Sequence, residues 1–187
     1  MLILASASPR RQELLRNAGI QFEVQPADID ETPLESEAPR DCAERLARKK
    51  ALGVSRERPK DYVLGADTIV IIDRMILGKP RDSADAARML RLLSGRTHEV
   101  ITGVCLVDPV AGDAEQASET TRVMMREISD DEIRDYVATG EPMDKAGAYA
   151  IQGIASRWIP RIEGDYSNVV GLPVALVCSM LKKRGAI

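Results

Sequence analysis

The sequence predicts an α/β fold, a mixed sheet flanked by helices, built as one domain over residues 1–187. Three observations predict it. Short apolar runs of strand length alternate with amphipathic stretches of helix length along the chain. One of those runs, YVLGADTIVIID, passes into MIL across Asp73 and Arg74, which is hairpin spacing, so antiparallel and crossover connections share the sheet. A chain of 187 residues is also long enough to bury roughly 70% of its unfolded surface in one sizeable core. No repeat, low-complexity stretch or linker interrupts it.

Each element follows from local signals. Leu2 to Ala5 is an apolar run suited to a buried strand, and Ser8-Pro9 has the form of an N-cap followed by proline at the first helical position. Leu14, Leu15 and Ala18 supply that helix with an apolar stripe, and Gly19 suits its C-terminal cap. QFEV reads as a strand leading into an acidic, proline-bearing loop. DCAERLARKKALGV is an amphipathic helix with Ala43, Leu46, Ala47 and Ala51 on one side and Lys50 late in its length. After the hairpin, SADAARMLRLLSG is a helix with Ala87, Leu90 and Leu93 inward and Gly95 past its end. THEVITGVCLVDP and TTRVMMREIS read as strands. SDDEIRDYVATG is a helix capped by Ser129, with acidic residues where the helix dipole is positive. KAGAYAIQG and SRWIPRIEG read as strands, and GLPVALVCSMLKKRG as a closing helix with Pro173 near its start and Lys182, Lys183 and Arg184 in its last turn.

Composition removes several classes of function. With 26 Lys+Arg against 29 Asp+Glu, the net charge of -3 offers no broad attraction to nucleic acid or to an anionic membrane, so neither is expected as a partner. Basic residues that bind anions must be gathered locally. Cys42, Cys105 and Cys178 are few, odd in number and widely spaced, which indicates neither a disulfide framework nor a CxxC zinc site and suits a reducing cytoplasm. The N-terminus lacks a charged segment before its apolar stretch, and no run approaches the roughly 18–20 apolar residues of a membrane span, so neither export nor anchoring is expected.

Two places are hard to explain by folding alone. Arg10 and Arg11 fall in the first turn of a helix, beside free backbone N–H groups and the positive end of the dipole, where a cation is disfavoured unless an anion joins it. Solvent exposure of both is the competing explanation. Asp67 sits in a strongly apolar strand, where a carboxylate costs several kcal/mol unless paired or bound to a cation. An exposed edge position or a bond to a nearby turn is the competing explanation here. Gly65 would let a ligand approach the backbone, and Lys79 lies close to Asp67 across the expected hairpin. The common phosphate motifs, GxxxxGK[ST] and a strand followed by GxGxxG, are absent. His98, the single histidine, reads as a structural residue at a strand end and argues against a Ser-His-Asp triad. What remains is a hard-cation arrangement: Glu31 and Asp67 for Mg²⁺ or Mn²⁺, with Arg10, Lys50 and Lys79 for phosphate oxygens.

LASASPRRQELL, LGADTIV, LGKPRD, LSGRTHEVITGV, DKAGAYAIQG and GDYSNVVGLP, in this order and spacing, resemble the Maf family of nucleoside triphosphate pyrophosphatases over essentially the whole chain. The resemblance implies an elongated mixed α/β fold, two lobes around a cleft, shared with the inosine triphosphate pyrophosphatase superfamily. It implies cleavage between the α and β phosphates, giving a nucleoside monophosphate and diphosphate, with a divalent cation as cofactor. DKAGAYAIQG is similar to the branch acting on dTTP and UTP, with modified pyrimidine nucleotides in reach, whereas the 7-methyl-GTP branch differs there. Position by position, Ser8 and Arg10 fall on the SxxR phosphate loop, Glu31 and Asp67 on the acidic positions, and Lys50 and Lys79 on the basic ones. Thr68 and Gln152 fall where the family sets substrate preference. Two departures are Arg74, where glycine is common, and Ala155-Ser156 after IQG.

On this resemblance Arg10 meets the triphosphate, while Arg11 is either solvated or packed against the chain. Asp67 is either the general base or a metal ligand. Because an uncompensated carboxylate in an apolar strand carries a desolvation cost, removing its charge is expected to hold or raise stability. The alternatives in function are a nucleotide-binding regulator of septum formation with incidental hydrolysis, and a 7-methyl-GTP pyrophosphatase. The expected partners are the nucleoside triphosphate substrate and, as an alternative to a monomer, a second copy of the chain in a homodimer.

Overall fold

The computed structural model describes all of residues 1–187. Its elements are β1 (Leu2–Leu4), α1 (Pro9–Asn17), β2 (Glu23–Val24), α2 (Pro39–Ser55), β3 (Tyr62–Ile72), β4 (Met75–Leu77), α3 (Ser83–Leu93), β5 (Thr97–Val107), β6 (Ala114–Met124), α4 (Asp130–Ala138), β7 (Arg161–Glu163), α5 (Tyr166–Val170) and α6 (Val174–Lys183). The strand order is β2-β1-β3-β5-β6-β7, with β4 paired to β3 outside that path. β1 pairs in parallel with β2 and β3, whereas β3–β4 and β6–β7 are antiparallel, so the sheet is mixed as expected. No helix is long and apolar enough to cross a membrane. The chain divides into two compact units, one of Met1–Thr68, Thr102–Glu119 and Gly171–Ile187, the other of Ile69–Ile101 and Thr120–Val170.

In the first unit β1 and β3 are buried on both faces, which explains their continuous apolar runs, whereas β2, at the edge of the sheet, is exposed. Alternate residues separate the two faces. Ile3, Ala5, Val63 and Cys105 pack on Ala47, Ala51 and Val54 of α2. Leu2, Leu4, Leu64, Ala66, Val104 and Leu106 pack on Leu15 of α1, on Ile20 and Leu172, and on Val177, Met180 and Leu181 of α6. The stripe of α1 is narrower than expected, because only Leu15 is fully buried and Ala18 is exposed. Gly65 has a role other than ligand approach. A Cβ there would overlap the Ala47 carbonyl oxygen of α2, and one at Gly103 would overlap the backbone of Ala43, so the two glycines let α2 lie directly on β3 and β5.

In the second unit Asp73 and Arg74 turn the β3–β4 hairpin with φ of 50° and 65°, the two left-handed residues of a type I′ turn. α3 buries Ala86, Met89, Leu90 and Leu93, with Ala87 only half-buried, so its inward face is rotated by one residue from the expected one. Ser129 and Glu132 form a full capping box on α4. β6 starts at Ala114 and stops at Met124, before the REIS of the expected strand. KAGAYAIQG is not a strand: Ala146–Ala148 is a 3₁₀ turn in which Gly147 and Ala148 have φ of 69° and 62°. Gly147 donates its N–H to the Gly78 carbonyl and packs on Val70, so tertiary contact overrides the alternating pattern. Of SRWIPRIEG, only Arg161–Glu163 is strand, because Ile154–Trp158 turns to bury Trp158 edge-on against Tyr136 at 5.1 Å.

His98 is structural, as its sequence context suggests. It is 2% exposed, and its Nε2 lies 2.6 Å from the Tyr149 hydroxyl. Burial pushes its pKa down to about 4. An unfolded histidine titrates near 6.5, so the unfolded chain holds the extra proton between those two values. Stability is therefore complete above about pH 6.5 and declines as the pH falls toward 4, by roughly 3 kcal/mol in total. Urea unfolding at pH 7 and pH 4.5 should show this loss, with His98→Gln showing a smaller one. Equal losses in both proteins would assign the acid sensitivity to other groups.

Candidate active site

The first unit assembles a charged cluster on the face of β3 that meets α2. Val63, Gly65 and Asp67 share that face by the two-residue period of a strand. On α2, Lys50 lies four residues after Leu46 and four before Val54, so it belongs to the buried stripe rather than to the solvent side. The two elements bring Lys50 Nζ to 2.7 Å from Asp67 Oδ1, with Lys50 7% and Asp67 8% exposed. Glu31 enters from the loop 25–38, its Oε1 lying 2.6 Å from the same Nζ, with its side chain 52% exposed. Asp67 is therefore not an uncompensated carboxylate. Its desolvation cost is offset by a buried ammonium, which corrects the expectation that neutralising it leaves stability unharmed.

This donor set fits a hard divalent cation. Glu31 and Asp67 converge on one point, each carboxylate has lone pairs beyond the one Lys50 engages, and Mg²⁺-type ions use one or two carboxylates plus water and phosphate oxygens. No group of three His, Cys, Asp or Glu residues offers an all-protein cage.

A second network surrounds Arg11. Ser8 caps α1, its Oγ accepting from the Arg11 N–H at 3.5 Å. The Arg11 side chain turns inward, 8% exposed, and donates from Nε to the Gly171 carbonyl at 2.7 Å, from Nη1 to Ser6 Oγ at 3.0 Å and from Nη2 to Thr68 Oγ1 at 3.0 Å. The Thr68 and Thr102 hydroxyls are 2.9 Å apart. Burial lowers the Arg11 pKa, Asp67 opposes that shift, and neighbouring Arg10 adds to it. Arg11 thus packs against the chain, and it remains a cation at any working pH. Counted from Ser8, the SxxR spacing closes on Arg11, whereas Arg10 lies half-buried one residue earlier. Ser6, Thr102 and Gly171 enter the site as residues that sequence reasoning missed. The SxxR spacing, read from Ser8 to Arg11 instead of to Arg10, is the one signal that leads there.

Ser8, Arg10, Glu31, Lys50, Asp67 and Thr68 belong to the first unit, Lys79 and Gln152 to the second. The β3–β4 ladder ends at Val70 and Leu77, so it reaches neither Asp67 nor Lys79. Lys79 is exposed in the loop after β4, and Gln152 is exposed between buried Ile151 and half-buried Gly153.

The chain is 59% identical over 186 residues to a protein of Koribacter versatilis named dTTP/UTP pyrophosphatase, covering 100% of this chain and 95% of the relative. Proteins of Geobacter sp. strain M21 and of Geotalea uraniireducens, named likewise, are each 53% identical over 186 residues, covering 100% of this chain and 96% of theirs. A solved structure of a Vibrio cholerae protein is similar at a TM-score of 0.36 and 11% identity over 74% of this chain and 76% of that one, a likeness too slight to bear on fold or function. The family model described as Maf-like protein matches residues 1–184, the span that carries both networks, and with these relatives it establishes that the chain belongs to the Maf family.

Proposed function

We propose that this chain is a nucleoside triphosphate pyrophosphatase that hydrolyses dTTP and UTP, releasing the nucleoside monophosphate and pyrophosphate. The convergence of Lys50, Glu31 and Asp67 carries the chemical part of this reading, and the names of the relatives support the substrates. The family match runs through both compact units, which supports one catalytic domain over 1–187. The cytoplasm is the proposed setting, where free Cys42, Cys105 and Cys178 stay reduced.

In the reaction a water oxygen attacks the α-phosphorus, the bond to the α,β-bridging oxygen breaks, and pyrophosphate leaves with that oxygen. Asp67 takes the proton of the attacking water. Negative charge grows on the bridging and terminal oxygens, and cations answer it: Lys50, held ready by two carboxylates, with Arg10 and Lys79 assigned to the phosphate oxygens by the family resemblance. The N–H groups at the head of α1, behind the Ser8 cap, add donors for an anion. A divalent cation, Mg²⁺ or Mn²⁺, held by Glu31 and Asp67 would supply Lewis-acid polarisation of phosphate oxygens. Thr68, fixed by Arg11, and Gln152 set preference. The Gln152 amide donates to a pyrimidine carbonyl and accepts from the ring N–H, a pair that uracil and thymine offer and adenine does not.

Pyrophosphate release measured over a panel of nucleotides tests the reading. UTP and dTTP are expected to give kcat/KM values at least about tenfold above ATP, and values above GTP as well, with activity abolished by EDTA and restored by Mg²⁺ or Mn²⁺. Equal rates on all, or preference for 7-methyl-GTP, would overturn the substrate assignment. Nucleotide binding with no release from any substrate would favour the regulator instead.

A further inference from the structure

In the second unit a single carboxylate holds the loop that carries Gln152. After α4 the chain turns at Gly140 into a 3₁₀ segment, Glu141–Asp144. Glu141 Oε1 accepts from the Tyr136 hydroxyl at 3.0 Å and from the Ile154 N–H at 3.1 Å, and Oε2 lies 3.4 Å from the same N–H. Gly153 is pressed against this carboxylate so closely that a Cβ at that position would overlap Oε1. Lys145 Nζ donates to the Glu141 carbonyl at 2.6 Å, which ties down the main chain of the clamp as well. Tyr136 is 1% exposed and stacked edge-on by Trp158, so the donor on the far side of Glu141 is itself immobile. Burial, with Glu141 adding to it, raises the Tyr136 pKa, which keeps that hydroxyl protonated and able to donate.

We propose that Glu141 is a positioning residue for substrate choice: fixed by Tyr136, it clamps Gly153 and Ile154 and so determines where Gln152 presents its amide to the base. The inference rests on the reading of Gln152 given above. An exposed side chain reads two groups on a ring only if its backbone is held to within about an ångström, because hydrogen bonds weaken steeply with misalignment. Trp158 and the buried Pro142 anchor the neighbouring segments by apolar contact, whereas the carboxylate acts on residues 153 and 154 themselves.

Steady-state kinetics with UTP and ATP, together with thermal melts, separate this role from a structural one. Glu141→Ala removes the acceptor. Gly153→Ala pushes the carboxylate aside while leaving the backbone unstrained, since Gly153 has an extended conformation with φ of -95°. Each is expected to lower the ratio of kcat/KM for UTP over ATP by about tenfold, chiefly through KM for UTP, with folded protein at the assay temperature. Glu141→Gln is expected to retain the ratio, because an amide oxygen in place of Oε1 accepts both hydrogen bonds. Added to Gln152→Ala, which loses the preference by itself, neither variant should lower the ratio further. If Gln152→Ala lowers the ratio and Glu141→Ala and Gly153→Ala do not, the clamp is overturned. If Gln152→Ala leaves the ratio unchanged, the reading of Gln152 falls, and the clamp falls with it.

Discussion

Asp67→Asn is expected to reduce pyrophosphate release by about 10²- to 10⁴-fold, because asparagine keeps the shape but neither takes a proton from water nor offers a full negative charge to a cation. Its effect on stability is the opposite of what an isolated carboxylate would give. Lys50, 7% exposed, loses one of two anionic partners and keeps Glu31, whose side chain is half in solvent. Removing one member of a buried pair costs up to 3–5 kcal/mol, and the isosteric amide still accepts from Nζ, so a loss of about 2 kcal/mol is expected. For a chain of this size that lowers Tm by roughly 4–8 °C. Activity assayed well below the melt, per folded molecule, distinguishes the two effects. Activity that falls only in step with the folded fraction would make Asp67 a scaffold residue.

Arg11→Ala should produce the second large effect, and it should appear first in stability. Three donors are removed at once, leaving the Gly171 carbonyl and the Ser6 and Thr68 hydroxyls without their charged partner in a buried site. About 3 kcal/mol or more is expected, a drop in Tm of roughly 6–12 °C. Arg11→Lys should rescue little, since an ammonium cannot span the three directions of a guanidinium fork. Arg10→Ala makes the contrast: kcat/KM about tenfold lower or more, as for the loss of a charge-assisted phosphate contact, with a smaller fall in Tm than Arg11→Ala gives. Thr68, next to Asp67, loses one of its hydrogen-bond partners in the Arg11 variant and keeps the Thr102 hydroxyl, so the surviving folded enzyme should also be impaired, to a lesser degree. Calorimetry and kinetics on the three variants check the assignment. A melting temperature insensitive to Arg11→Ala would contradict the buried network.

Asp67 was legible because a carboxylate in an apolar strand conflicts with both burial and propensity, and the alternation of β3 already aimed it at one face. Lys50 carried a similar signal, four residues from Leu46 and from Val54 on one helical stripe. The partners of Arg11 were not legible in the same way. Gly171 is 160 positions away from it and Thr68 is 57, and no local pattern encodes a contact of that range. Glu31 lies in a loop without periodicity, so its residue type and the family resemblance pointed to it, while no local pattern aimed it at Lys50. KAGAYAIQG misled because its apolar residues alternate as in a strand, while its backbone is set by left-handed residues at Gly147 and Ala148 that packing on Val70 demands. The layers of the sheet followed from residue periods, whereas the loops followed from which distant groups they had to satisfy.

The seating of α2 on Gly65 and Gly103 has a consequence for how finely Lys50 is aimed. A helix that rests on side chains can shift as those side chains change rotamer; one that rests on main chain has no such give. Lysine carries about 2 kcal/mol of rotamer freedom, and much of that is surrendered when the helix stands so near the strand that the side chain need not stretch. The entropy is spent once, during folding, and is not charged again at each encounter with a nucleotide. The accuracy of the ammonium's placement is thus controlled from two positions that bear no functional group. A single methyl at either would act as a wedge under the helix, detuning the charge cluster while leaving every residue of the cluster in the chain.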